Sequence, residues 1–199
     1  MMYHGKECVL YGDPEADLYV FCFFHESLKV IESIGMKCFV IMPHVDDWNA
    51  ELSPWKSEGF KGEGFKLEKW IVSTMDEKHH YIIAGYSLGG LFSLWMYSKY
   101  DSFIGCISCS GSLWYPGWIN YLETIDRKGI VYLSLGKKES HTKNKLMAQV
   151  GENTQKTYQY LSKNNKCIYI EENGGHFHEP DQRMIRGFKW LFENLSIFF

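Results

Sequence analysis

The sequence predicts an α/β protein with a mainly parallel central sheet and helices on both faces. Its strand candidates are continuous apolar runs with little alternation, as expected of strands covered on both sides. Helical patterns with apolar residues three and four apart fall between them, and the two kinds of segment alternate along the chain.

In chain order, a first strand at 7–11 (ECVLY) precedes a second at 18–24 (LYVFCFF), which ends at His25-Glu26-Ser27 and passes into the helical run ESLKVIESIG. A third strand, 37–42 (KCFVIM), leads into residues 43–64, which show neither period and are long for a connection inside a compact domain. Trp48, Trp55, Phe60 and Phe65 argue against disorder there. The segment also follows a strand, so it is expected to form part of a substrate pocket. FKLEKWIVSTMDEK then reads as helix, HYIIAG (80–85) as strand, and LGGLFSLWMYSKY as helix. After the strand FIGCISC (103–109) comes IVYLSL (130–135), then a helix across TKNKLMAQVGENTQKTYQYLSKNN. The strand KCIYI (166–170) and the helix EPDQRMIRGFKWLFENL close the pattern. In open sheets of this kind ligands bind beyond the carboxyl ends of the strands, so functional residues are sought just after strands.

With 199 residues, 45% apolar and 23% charged, the chain reads as one globular domain over 1–199. A net charge of −3 gives no footprint for nucleic acid or an anionic membrane, and neither is expected as a partner. The N-terminus lacks the basic flank and apolar run of a secretory signal, which predicts a cytoplasmic protein. Glycines in 81–98, and Pro116 with serines and glycines in 102–122, exclude those windows as membrane helices. Six cysteines lie mostly in apolar runs and read as core residues without disulfides. Cys106 and Cys109 have CxxC spacing, but three apart on a strand they face opposite sides, so no metal is expected.

The chemistry centres on Gly85-Tyr86-Ser87-Leu88-Gly89-Gly90, a GxSxG pattern set between a strand and a helix. Such a turn is too sharp for side chains two before and two after the serine, hence Gly85 and Gly89. Ser87 is pushed out above the sheet edge, and the Leu88 amide at the helix start points where a tetrahedral intermediate gains negative charge. A serine hydroxyl needs a base, and the base an orienting acid, in the order Ser, acid, His. His176, in Gly174-Gly175-His176-Phe177 after the last strand, is the expected base, with His178 its local competitor. Glu139, in Gly136-Lys137-Lys138-Glu139 after IVYLSL, is the expected acid. Glu171 and Glu172 read as surface charges, and Asp181 as a first-turn helix residue. A second oxyanion amide is expected from His25 or Glu26. Trp114, Trp48, Trp55 and Tyr86 are candidate substrate contacts.

With GYSLGG at 85–90, SGSLWYPGW at 110–118, the acid loop and GGHF at 174–177, the chain resembles the α/β-hydrolase superfamily. Within it, the likeness is to the esterase-D-like branch that includes enterochelin and feruloyl esterases. His25-Glu26 stands where many of those proteins have His-Gly. The resemblance implies an α/β-hydrolase fold with minimal or no lid domain, no cofactor, and a small-molecule ester as substrate. It implies a serine esterase using Ser87, His176 and Glu139. An acyltransferase on the same fold and a non-catalytic binding module are the alternatives, and oligomeric state is left open.

Overall fold

The computed structural model describes residues 1–34 and 38–195. Lys37 of the third strand run and Gly35 of the first helical run lie outside the described residues. One eight-stranded sheet runs β1 (Met2–Tyr3), β2 (Lys6–Gly12), β4 (Phe39–Pro43), β3 (Leu18–Phe23), β5 (His80–Tyr86), β6 (Phe103–Cys109), β7 (Ile130–Gly136) and β8 (Lys166–Glu172) in spatial order. From β4 to β8 all pairings are parallel. At the other edge β2 runs antiparallel to β4, and the two-residue β1 caps it, a pairing that continuous apolar runs do not reveal.

Strand alternation divides the core into two layers. Tyr19, Phe21 and Phe23 face one side with α3 (Gly64–Thr74), α4 (Leu88–Lys99) and α6 (Val150–Leu161). Val20 and Cys22 face the other, with α1 (Leu28–Ile34) and α7 (Pro180–Leu195). Cys106 and Cys109 fall in opposite layers, as their spacing predicts. Every residue of α4 from Leu88 to Tyr97 is buried, so it is apolar nearly all round; α7 instead buries one stripe.

This division opens the site. From β3 the chain crosses by α1 to β4, then returns past β3 to β5 and leaves it into α4 on the opposite face. The segments leaving the adjacent strands β3 and β5 therefore diverge, and a crevice forms at their carboxyl ends. No lid domain covers that edge among the described residues, and α2 (Trp48–Glu51) and α5 (Trp118–Leu122) are the short helices in its connections.

Two expectations change. Residues 43–64 are not structureless, because they hold α2, capped by Asp47 Oδ1 accepting from the Ala50 amide at 3.1 Å. Glu51 Oε1 accepts the Asp46 and Asp47 amides in return, and buried Ser53 accepts from the Gly62 amide at 2.8 Å to close the segment. The helix expected from Thr142 begins only with a 3-10 turn at Met147–Gln149. Asn144 Oδ1 accepts the Leu146 and Met147 amides at 3.0 and 3.2 Å, a local bond that competes with the helix.

Candidate active site

Ser87 follows β5 with φ 56° and ψ −124°, a left-handed conformation that a serine holds only when its surroundings impose it. Those surroundings are tight. A Cβ on Gly85 would lie 2.2 Å from Gly89 O, and one on Gly89 would lie 2.4 Å from Phe23 O. Strand, turn and helix therefore meet only because both residues are glycine, as the pattern predicts. The Ser87 amide donates to Cys109 O and the Ser112 amide to Ser87 O, tying the turn to the exit of β6.

The three segments after β5, β7 and β8 converge. His176 Nε2 lies 3.1 Å from Ser87 Oγ, and His176 Nδ1 lies 2.8 Å from Glu139 Oε2. The second Glu139 oxygen accepts the Gly136 amide at 2.7 Å, the Ser110 hydroxyl at 2.8 Å and Arg183 Nη1 at 2.8 Å. Burial pushes the Glu139 carboxyl up, but His176, the Gly136 amide and Ser110 outweigh it and hold the group below the ordinary carboxylate range. With Glu139 ionised and accepting from Nδ1, the Nε2 lone pair is left to face Ser87.

Sequence reasoning missed Arg183. It is fully buried on α7, and its guanidinium joins the acid to the segment bearing the histidine. Nη2 donates to Asn173 O and Gly175 O at 3.0 and 2.9 Å, while Nη1 also reaches Ser110 Oγ at 2.6 Å. A signal was present, since Arg183 lies on the stripe that holds Met184, Gly187, Phe188 and Leu191. A charge on the buried face of an amphipathic helix must be paired.

Tyr86 is buried beneath the site rather than open to a ligand. Its hydroxyl donates to His176 O at 2.6 Å, and burial raises its pKa to about 12, which keeps that proton in place. This corrects its reading as a substrate contact.

A cavity of about 450 Å³ opens at Ser87 and His176, walled by Trp114, Thr142, Met147, Val150 and Phe177. Of the candidate substrate contacts, Trp114 is on it. Trp55 is not, because its indole N–H donates to Pro116 O at 2.8 Å and its ring packs against Tyr115 and Tyr121. Trp48 lines a separate cavity of about 400 Å³ with His25, Glu26 and His44. Among the described residues none of 43–64 lines the Ser87 cavity; Phe60 packs behind its wall, with its ring 5.9 Å from that of Trp114. The His25 ring points to Asp181, at 2.9 Å, and Phe23 pairs in register with Gly85, so the backbone leaving β3 passes beside the Ser87 turn. Leu88 opens α4, where an amide has no carbonyl of its own helix to bond.

Two residues near His176 take other roles. His178 is half exposed and covers Gly174. Glu172, expected at the surface, is 9% exposed and accepts both Arg186 Nε and Nη2, at 2.9 and 2.8 Å. Glu172→Gln is therefore expected to cost about 1 kcal/mol of stability in urea denaturation, while Glu171→Gln leaves it unchanged.

Solved structures share this architecture. An IroE-like serine hydrolase from Shewanella oneidensis superposes with a TM-score of 0.74 at 13% identity, covering 98% of this chain and 78% of that one. The chain has the α/β-hydrolase fold. A siderophore hydrolase, EstB from Aspergillus nidulans, matches with a TM-score of 0.69 at 15% identity over 90% of this chain and 83% of its own. A Pyrococcus furiosus esterase gives 0.62 at 14% identity, over 96% and 92%. In sequence, the chain is 30% identical over 138 residues to the uncharacterized protein YbbA of Bacillus subtilis strain 168, covering 63% of this chain and 53% of YbbA. The chain thus spans about half the length of that curated relative. No family model matches the chain.

Proposed function

We propose that the protein is a serine hydrolase of carboxylic esters that works through an acyl-enzyme on Ser87. The observation that carries this reading is the unbroken chain from Ser87 Oγ to His176 Nε2 at 3.1 Å and from His176 Nδ1 to Glu139 at 2.8 Å. The names of the structural neighbours, siderophore hydrolase and esterase, agree with an ester substrate.

In this reading Ser87 Oγ attacks the ester carbonyl carbon while His176 Nε2 takes the hydroxyl proton, giving a tetrahedral oxyanion. The amide of Leu88 and that of His25 or Glu26 receive the negative charge. Collapse breaks the bond to the alcohol oxygen, which leaves with the proton from His176. Water then repeats the sequence on the acyl-enzyme, releasing the carboxylic acid and restoring Ser87. Glu139 holds the imidazole with Nδ1 protonated and stabilises the charged ring in both steps. The His176 side chain is about one-third exposed, which gives water the access that hydrolysis, rather than transfer to another alcohol, requires.

The direct test is labelling with a fluorophosphonate, read by intact-protein mass spectrometry alongside hydrolysis of para-nitrophenyl, aryl and siderophore-type esters. One adduct on Ser87 and turnover of at least one ester are expected; no adduct and no turnover would sink the proposal. His176→Ala should lose turnover almost as fully as loss of the nucleophile. His178→Ala should stay within a few-fold of the parent, because its ring covers Gly174 and its Nδ1 lies 3.9 Å from Glu179. The reverse pattern would move the base to His178.

A further inference from the structure

We propose that the ester accepted at this site carries negative charge, recognised by the lysines of the loop that lends Glu139 and Thr142 to the Ser87 cavity; the proposal rests on the hydrolase reading. Residues 137–145 read Lys137-Lys138-Glu139-Ser140-His141-Thr142-Lys143-Asn144-Lys145, four lysines in nine residues of a chain whose net charge is −3. All four are exposed. The lysines that do pair with carboxylates among the described residues are Lys6, Lys61, Lys66, Lys99 and Lys156, none of them on this loop. The loop's one carboxylate, Glu139, is turned inward with its side chain 4% exposed, and both its oxygens are occupied by His176 and Arg183. It neutralises none of the four.

The loop is also a wall of the site. Its Glu139 and Thr142 line the same cavity as Ser87 and His176. The loop is held in place by Ser140 Oγ, which accepts the Gly151 amide at 3.1 Å, and by the Asn144 turn. Like charges set side by side repel, and a loop that served only solubility would do as well with mixed signs. A single-sign field beside a cleft raises the local concentration of oppositely charged ligand. The cations sit on the loop that lends Glu139 and Thr142 to a cavity sized for a small molecule, and the rest of the chain carries an excess of acids. A small anionic ester fits that pattern better than an extended polyanion does.

Two fluorophosphonates of equal tail length test this, one ending in a carboxylate and the other in its methyl ester. The quantity read is the second-order rate at which each modifies Ser87. In the parent at low salt the carboxylate probe should react about tenfold faster or more, and the advantage should shrink as salt screens the field. In Lys137→Gln/Lys138→Gln/Lys143→Gln/Lys145→Gln the ratio should fall towards one while the neutral probe keeps its parental rate, which also reports an intact site. The pair Lys143→Gln/Lys145→Gln should give an intermediate ratio. Equal rates in the parent, or a preference that survives in the fourfold variant, would overturn the proposal. If neither probe modifies Ser87 in the parent, it is the hydrolase reading that fails, and this inference with it.

Discussion

Ser87→Ala is expected to abolish ester hydrolysis and fluorophosphonate labelling, with turnover falling on the order of a million-fold, as for removal of the nucleophile from comparable triads. The nearest substitute nucleophile is Ser112, whose hydroxyl lies 3.4 Å from Ser87 Oγ. Among the described residues only Ser87 stands at hydrogen-bond distance from His176 Nε2, so Ser112 has no base to activate it. Labelling that persists in Ser87→Ala and vanishes in Ser112→Ala would transfer the role. The fold should survive, because the turn is fixed by Gly85, Gly89 and backbone bonds rather than by the hydroxyl. The φ of 56° adds a second outcome, since Ser87→Gly should be equally inactive but melt higher than Ser87→Ala. Relief of left-handed strain, about 1–3 kcal/mol, exceeds the roughly 0.5–1 kcal/mol that glycine loses in unfolded-chain entropy.

What the sequence reveals of this site is what lies next to a strand. Ser87, Glu139 and His176 each come within four residues of the carboxyl end of a strand, so a one-dimensional pattern could place all three at one sheet edge, where the structure brings them within bonding distance. Arg183 is different: its partners Ser110, Glu139, Asn173 and Gly175 come from three separate segments, and no local spacing encodes that meeting. The aromatic residues of 43–64 misled for a related reason. Trp55 and Phe60 look alike in a loop whether they meet a ligand or Tyr115, and only packing distinguishes the two. Glu172 was misread because β8 is an edge strand, where the exposure of each residue depends on what α7 lays over it. The short β1 and the antiparallel β2 were illegible because apolar content says how deeply a strand is buried and nothing about its direction.

Glu139→Gln is expected to cost about ten-thousand-fold in turnover with little change in KM, by the tautomer argument established for serine proteases. Three donors converge on Glu139 Oε1: the Gly136 amide, Ser110 and Arg183. A glutamine in that place must turn its carbonyl oxygen to them, which leaves its amide NH2 facing His176 Nδ1. That nitrogen must then accept, the ring proton moves to Nε2, and the nitrogen facing Ser87 can no longer take a proton. Turnover that does occur draws on the minor tautomer, without a carboxylate to stabilise the charged ring. Stability gives an independent check. The Glu139 carboxyl is held below its ordinary value in the fold, so its ionisation adds stability that is fully present above the unfolded carboxylate pKa of about 4.3 and is lost as pH falls through the lower folded value. Glu139→Gln should lose that pH-dependent contribution and be less stable than the parent at neutral pH, since Arg183 stays buried without its counter-charge. If Glu139→Gln turns over like the parent while showing the stability loss, Glu139 is only a structural partner of Arg183 and the histidine works without an acid.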